Sequence, residues 1–219
     1  MQVIQVRQIS RGRGSATING ILIAMTLSEK YHSKVLLISD ESAADYLGLG
    51  YDSEQIRIFN FIRTNTLDGV RLERYSSGIS PGVNYLQMEQ SKVEDLEALL
   101  RAAEESFDYV VLDLSKRLKV SHELIRLDCL PQCDRVIENY FDDLRTEVRQ
   151  FSSKHIQVIG AYQDSLNHYR MQTIKKIYKH KFMYGVPFDS GLHKACMNRT
   201  LKNYAKKLWL REMVLFLKH

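Results

Sequence analysis

The residues best suited to chemistry lie in the first loop. Arg11-Gly12-Arg13-Gly14-Ser15-Ala16-Thr17-Ile18 follows a short apolar segment and precedes a helical pattern. Small residues let backbone amides approach an anion closely, and the positive end of the following helix adds to the attraction. A strand, a glycine-bearing loop and a helix in that order form the arrangement of a phosphate-binding loop. The same composition also suits an ordinary strand-to-helix turn with a solvated basic flank. Other chemistries fit less well. No GxSxG nucleophile elbow occurs, and Gly12 and Gly14 lack the third glycine of a GxGxxG fingerprint. Cys129 and Cys133 stand four apart with His122 upstream, but a zinc site needs more ligands at tighter spacing. The cysteine count is odd and no CxxC pair is present, so reduced thiols are expected. The basic run Lys175-Lys176-Ile177-Tyr178-Lys179-His180-Lys181 reads better as the solvated end of a helix than as a nucleic-acid surface.

The elements that must position such a loop can be read from periodicity. Apolar runs rich in β-branched residues fall at residues 3–6, 35–39, 55–61, 83–87, 109–114, 135–139, 157–162 and 182–186. Several are apolar throughout, as expected of strands covered on both faces. Helical patterns fall between them, at 17–31, 91–106, 142–151, 169–178 and 201–217. The second of these opens with the capping box Ser91-Lys92-Val93-Glu94. Residues 48–82 show little periodicity and read as one edge strand within irregular surface structure. Strands alternating with helices predict an α/β fold with a mostly parallel central sheet of about seven or eight strands and helices on both faces. One domain spanning 1–219 is expected, with 201–219 as its C-terminal helix.

Composition agrees. Apolar residues make up 44% and charged residues 26% of the 219 residues, with a formal net charge of +5. That balance tolerates anionic partners without requiring them. No signal-peptide pattern opens the chain, and no apolar run is long enough to span a bilayer. In sheets of this class ligands sit beyond the carboxyl ends of the strands, which draws attention to the segments after Val6, Ser39 and Leu114.

Six segments resemble, in order and spacing, the MinD/ParA family of ATPases. The first loop is similar to the family's deviant Walker A motif, KGGxGK[ST][ST]. Arg11 takes the place of the first lysine and Gly12 matches a glycine. Arg13 and Ser15 replace glycines, Ala16 replaces the phosphate-loop lysine, and Thr17 matches the magnesium-binding hydroxyl. Lys34-Val35-Leu36-Leu37-Ile38-Ser39-Asp40-Glu41 resembles the KVLLIDxD strand, with Ser39 at the first aspartate and Glu41 at the second. Phe107-Asp108-Tyr109-Val110-Val111-Leu112-Asp113-Leu114 resembles the Walker B strand, with Asp113 as the metal-side carboxylate. Cys133-Asp134-Arg135-Val136-Ile137 resembles the ADxVI strand. Val158-Ile159-Gly160-Ala161 resembles the lead-in to an adenine-contacting asparagine, which falls at Asp164, and Gly185-Val186-Pro187-Phe188-Asp189 resembles the GxIPYD segment near the base.

The resemblance implies ATP and magnesium as cofactors, weakly held. It places nucleotide contacts at Arg11, Gly12, Arg13, Gly14, Ser15, Ala16, Thr17, Ile18, Asp164, Pro187 and Phe188. Metal ligands fall at Thr17 and Asp113, and Asp40 and Glu41 are the candidates for catalysis. Alanine at position 16 removes charge-assisted hydrogen bonds worth about 1.5–3 kcal/mol each. Hydrolysis is therefore expected to be very slow or absent, although Arg11 and Arg13 bring guanidinium groups that bind phosphate well. The expected role is that of a degenerate binding, localisation or assembly factor, similar to the TadZ/CpaE proteins of pilus assembly. The alternative is an active ATP-dependent dimerisation switch, with arginines standing in for lysine. The implied partners are a protein of a membrane-associated machine and a second copy of the chain, in the cytoplasm or at the inner membrane face. The apolar and basic segment 204–218 either packs on the sheet or lies on a membrane.

Overall fold

The computed structural model of the chain describes residues 1–9, 16–50, 52–88, 95–114, 118, 120–130, 139–140, 142, 156–163, 183–187 and 189–204. Eight strands among them form one sheet. They are β1 (Gln2–Gln8), β2 (Val35–Ser39), β3 (Ser77–Ser80), β4 (Val83–Gln87), β5 (Tyr109–Asp113), β6 (Leu124–Leu130), β7 (Ile156–Gln163) and β8 (Met183–Pro187). Their spatial order is β3-β4-β2-β5-β1-β6-β7-β8. Every neighbouring pair is parallel except β3–β4. The described α-helices are α1 (Ala16–Tyr31), α2 (Glu41–Leu47), α3 (Ile56–Arg63), α4 (Gly69–Tyr75), α5 (Leu96–Ala103) and α6 (Ser190–Met197).

Alternate residues of the central strands enter opposite layers, as a pleated strand requires. Ile4, Val6, Leu37 and Val111 pack with α1, whereas Val3, Ile38, Val110 and Leu112 pack with α5. Each of these side chains is fully or almost fully buried, worth about 1.5–3 kcal/mol apiece relative to exposure. Burial on both faces explains why these strands read as continuous apolar runs. It also fixes β1 and α1 firmly on either side of the first loop. No helix among the described residues is long and apolar enough to cross a membrane.

Five expectations need correction. Residues 55–61, expected as a strand, form the end of a 3-10 turn (Ser53–Gln55) and most of α3. Here the side chain of Gln55 does what a strand would have done. Its amide nitrogen donates to Tyr85 O (3.2 Å) and its oxygen accepts from Gln87 N (2.8 Å), so it meets backbone groups along the edge of β4. The single edge strand of the 48–82 region lies instead at β3, turned back on β4 through Pro81-Gly82. Gly82 has φ +76, a conformation that a side chain disfavours. The rest of that region is not irregular but holds the 3-10 turn, α3 and α4.

The strand beside β1 is β6 (Leu124–Leu130) rather than residues 135–139. Of the latter only Asn139 is described, and it is helical. Arg126 and Asp128 disguise β6 as polar, but they face each other within the fold. The helix expected over 91–106 is α5, Leu96–Ala103; its capping box at 91–94 lies outside the described residues. The helix expected from 201 begins as a 3-10 turn, Leu201–Asn203, and residues 205–219 lie outside the described residues. So do nearly all of 142–151 and all of 169–178.

Candidate functional site

The carboxyl ends of β2 and β5 lie side by side, with Ser39 and Asp113 as register partners. The Ser39 hydroxyl donates to Asp113 Oδ2 at 2.6 Å, in a buried contact. Thr17, in the first turn of α1, donates a second hydroxyl hydrogen bond to the same carboxylate. α1 runs close to the end of β5 here. A Cβ built on Gly20 would lie 3.5 Å from Asp113 Cβ. Three oxygen-bearing side chains from three elements therefore converge where the first loop enters its helix.

Asp113 is only 7% exposed. Burial pushes its pKa up, the Ser39 and Thr17 hydrogen bonds pull it down, and the charge of Asp40 pushes it up again, with a net rise. Desolvation thus outweighs two hydroxyl donors. A hard divalent cation is the counter-charge that oxygen donors of this kind suit, and the known preference of magnesium is for one or two carboxylates completed by water and phosphate oxygens. No group of three or more His, Cys, Asp or Glu residues among the described residues could cage a metal by itself. Thr17 and Asp113 are the oxygen donors that could join the shell of a cation completed by a ligand.

The structure thus brings together Thr17, Ser39 and Asp113, with Asp40 following Ser39. The backbone oxygen of Asp40 accepts from Tyr85 OH (2.8 Å), which fixes the turn into α2. Glu41 opens that helix. Ala16 is the first residue of α1 and is buried, and Ile18 packs against the α1 layer. Pro187 ends β8, three strands away from β1. Arg11, Gly12, Arg13, Gly14, Ser15, Asp164 and Phe188 lie outside the described residues.

Sequence reasoning missed a second polar cluster on the other side of β1. Asp128 of β6 is fully buried. Arg7 of β1 grips it with two parallel bonds, Nε to Oδ1 at 2.7 Å and Nη2 to Oδ2 at 3.0 Å. Tyr140 OH donates to Oδ2 at 2.8 Å, and Arg126 Nε lies 3.5 Å from the same oxygen. The signal was present: period-2 alternation puts Arg126 and Asp128 on one face of β6, and Arg7 falls in register with Asp128. Next to it, the Cys129 thiol accepts from Asn19 Nδ2 at 3.5 Å, and burial pushes that thiol up to about 12. His122 sits elsewhere, with Nε2 3.0 Å from Glu104 Oε1.

No protein-family model and no curated protein matches the sequence. Solved structures do match the fold. A ParA family ATPase from Chlorobium tepidum TLS superposes with a TM-score of 0.73 at 16% identity, covering 100% of this chain and 98% of that one. MinD in the MinC:MinD cell division complex of Aquifex aeolicus gives 0.69 at 16% identity, over 99% and 93%. An ATP complex of a Cyanothece McdA variant gives 0.69 at 13% identity, over 100% and 95%. Together with the mostly parallel sheet, the loop between β1 and α1, and Asp113 at the end of β5, these likenesses give the chain the fold of the ParA, MinD and McdA ATPases.

Proposed function

We propose that this chain is a degenerate MinD/ParA-like domain that binds a magnesium nucleotide weakly, turns it over very slowly or not at all, and works as a binding, localisation or assembly factor. The observation that carries this reading is the contrast between positions 16 and 17. Ala16 is 3% exposed at the head of α1, where the resemblance calls for a lysine. Thr17 beside it still reaches Asp113. Phosphoryl transfer depends on cations that neutralise developing charge, so losing the lysine costs turnover more than binding. Ser39 in place of an aspartate lowers the acidity of the site further and ties its hydroxyl to Asp113. In this reading Thr17 and Asp113 hold the magnesium, Arg11 and Arg13 meet the phosphates, and the segments around Asp164 and Phe188 meet the base. A neighbour in the fold is bound to ATP and another to a protein partner, which supports looking for both here. The partner we have in mind belongs to a membrane-associated machine at the cytoplasmic face, as with TadZ/CpaE-like proteins, with 204–218 as the candidate membrane or partner contact.

The second reading, an ATP-driven dimerisation switch, draws on the intact Thr17–Asp113 contact. Isothermal calorimetry with Mg-ATP, paired with a phosphate-release assay, separates the two. Affinity weaker than micromolar with no turnover supports the degenerate reading. Sub-micromolar affinity with measurable turnover overturns it in favour of the switch.

A further inference from the structure

The first loop is anchored from an unexpected place. Four contacts converge on two successive residues of β6, more than a hundred positions further along the chain. On the strand side of the loop, Arg7 clasps the Asp128 carboxylate through two bonds, and Ile9 N donates to Cys129 O at 3.3 Å. On the helix side, Asn19 Nδ2 donates to Cys129 Sγ at 3.5 Å. Asp128 and Cys129 are fully buried and Asn19 is 3% exposed. Tyr140 holds the second oxygen of Asp128 from the chain that follows β6.

We infer that Asp128-Cys129 is a positioning element, which fixes both ends of the loop between β1 and α1 and so sets Thr17 against Asp113. Their effect runs through Arg7 and Ile9 on one side and Asn19 on the other. Such an element matters because backbone amides stabilise an anion only when held in place before it arrives, and a misplacement of about 1 Å can cost about a hundredfold. A single hydrogen bond on one flank would leave the other flank free to turn. Gripping both flanks from one rigid strand does not. The clasp is ionic on the strand side and a weak thiol contact on the helix side, so the two residues contribute unequally. The role in ligand binding rests on the nucleotide reading above; the role in fixing the loop ends does not.

The test uses the full chain and two variants. Asp128→Asn keeps the shape but removes the charge that Arg7 clasps. Cys129→Ala removes the acceptor of Asn19 and leaves the ion pair intact. Amide hydrogen exchange is followed at Ile9, at residues 20–22 of α1, and in β2 and β4 as controls, alongside Mg-ADP affinity by calorimetry. Asp128→Asn is expected to speed exchange at least tenfold at Ile9 and at 20–22 without changing β2 and β4, and to weaken Mg-ADP at least fivefold. Cys129→Ala is expected to act at 20–22 alone. Unchanged exchange around the loop, or a rise shared equally by β2 and β4, overturns the inference. If the unmodified chain takes up no Mg-ADP, the nucleotide reading falls, and the exchange pattern by itself supports or overturns the positioning role.

Discussion

Two buried aspartates flank the central strand β1, and the fold treats them in opposite ways. Asp113 on β5 is the register partner of Val6, and Asp128 on β6 is the partner of Arg7. They sit one residue apart along the strand and on opposite faces of the sheet. Asp128 meets two guanidinium groups and a phenol. Asp113 meets two hydroxyls and, nearby, a second carboxylate. A buried carboxylate compensated by arginine has its counter-charge built in. Asp113 meets only hydroxyls among the described residues, and burial raises its pKa. In the proposed reading, the difference separates a structural acid from one that serves a cation.

The largest effect should come from breaking the compensated side. Asp128→Ala removes the carboxylate that the part-buried Arg7 guanidinium clasps and is expected to cost up to about 3–5 kcal/mol, read from the urea midpoint at unchanged slope. Asp113→Asn should leave stability unchanged or raise it, because it removes a charge that burial disfavours. Equal losses in the two variants would erase the distinction.

Next in size is the addition of a cation at the head of α1. Ala16→Lys places an ammonium group at the head of α1 and should tighten Mg-nucleotide binding about tenfold to a hundredfold, the equivalent of one or two charge-assisted hydrogen bonds. No gain in calorimetry would mean that the loop no longer presents a phosphate site.

A pH series sharpens the contrast further. The folded pKa of Asp113 lies above its unfolded value. Its contribution to stability is therefore fully present below the ordinary carboxyl range and is lost as pH rises through the raised folded value. Asp113→Asn should abolish that loss, and the difference between the two denaturation curves against pH isolates it. A difference that grows toward acid instead would reverse the sign of the argument.

Gly20→Ala should have the smallest effect. The added methyl meets Asp113 Cβ at 3.5 Å, an ordinary contact, and alanine favours a helix over glycine by about 0.5–1 kcal/mol. A modest rise in melting temperature is expected; a fall would show that α1 must approach Asp113 more closely than this geometry implies.

The sequence shows some of these regions clearly and hides others, for physical reasons. β2 and β5 are apolar runs because both faces are buried, so their bounds match to within a residue, and β4 matches too although Asn84 and Gln87 interrupt it. Thr17 and Asp113 were visible because motif spacing carries them. β6 was not, since Arg126 and Asp128 interrupt its apolar pattern and find their partners only across the sheet. The segment Gln55-Ile56-Arg57-Ile58-Phe59 alternates like a strand, yet tertiary contacts of Gln55 with β4 turn it into a helix start. Pairings between residues far apart in sequence leave no local mark, and both the clasp at Asp128 and the hydroxyl bond from Ser39 to Asp113 are of that kind.

The central claim is that Asp113, unlike Asp128, serves a cation brought by a weakly held nucleotide. The most direct test is a calorimetric titration of Mg-ADP against ADP in EDTA, run on the unmodified chain and on Asp113→Asn. The account predicts weak binding to the unmodified chain that strengthens at least tenfold with magnesium, and no magnesium dependence in Asp113→Asn. Equal magnesium dependence in both proteins, or none in either, would contradict it.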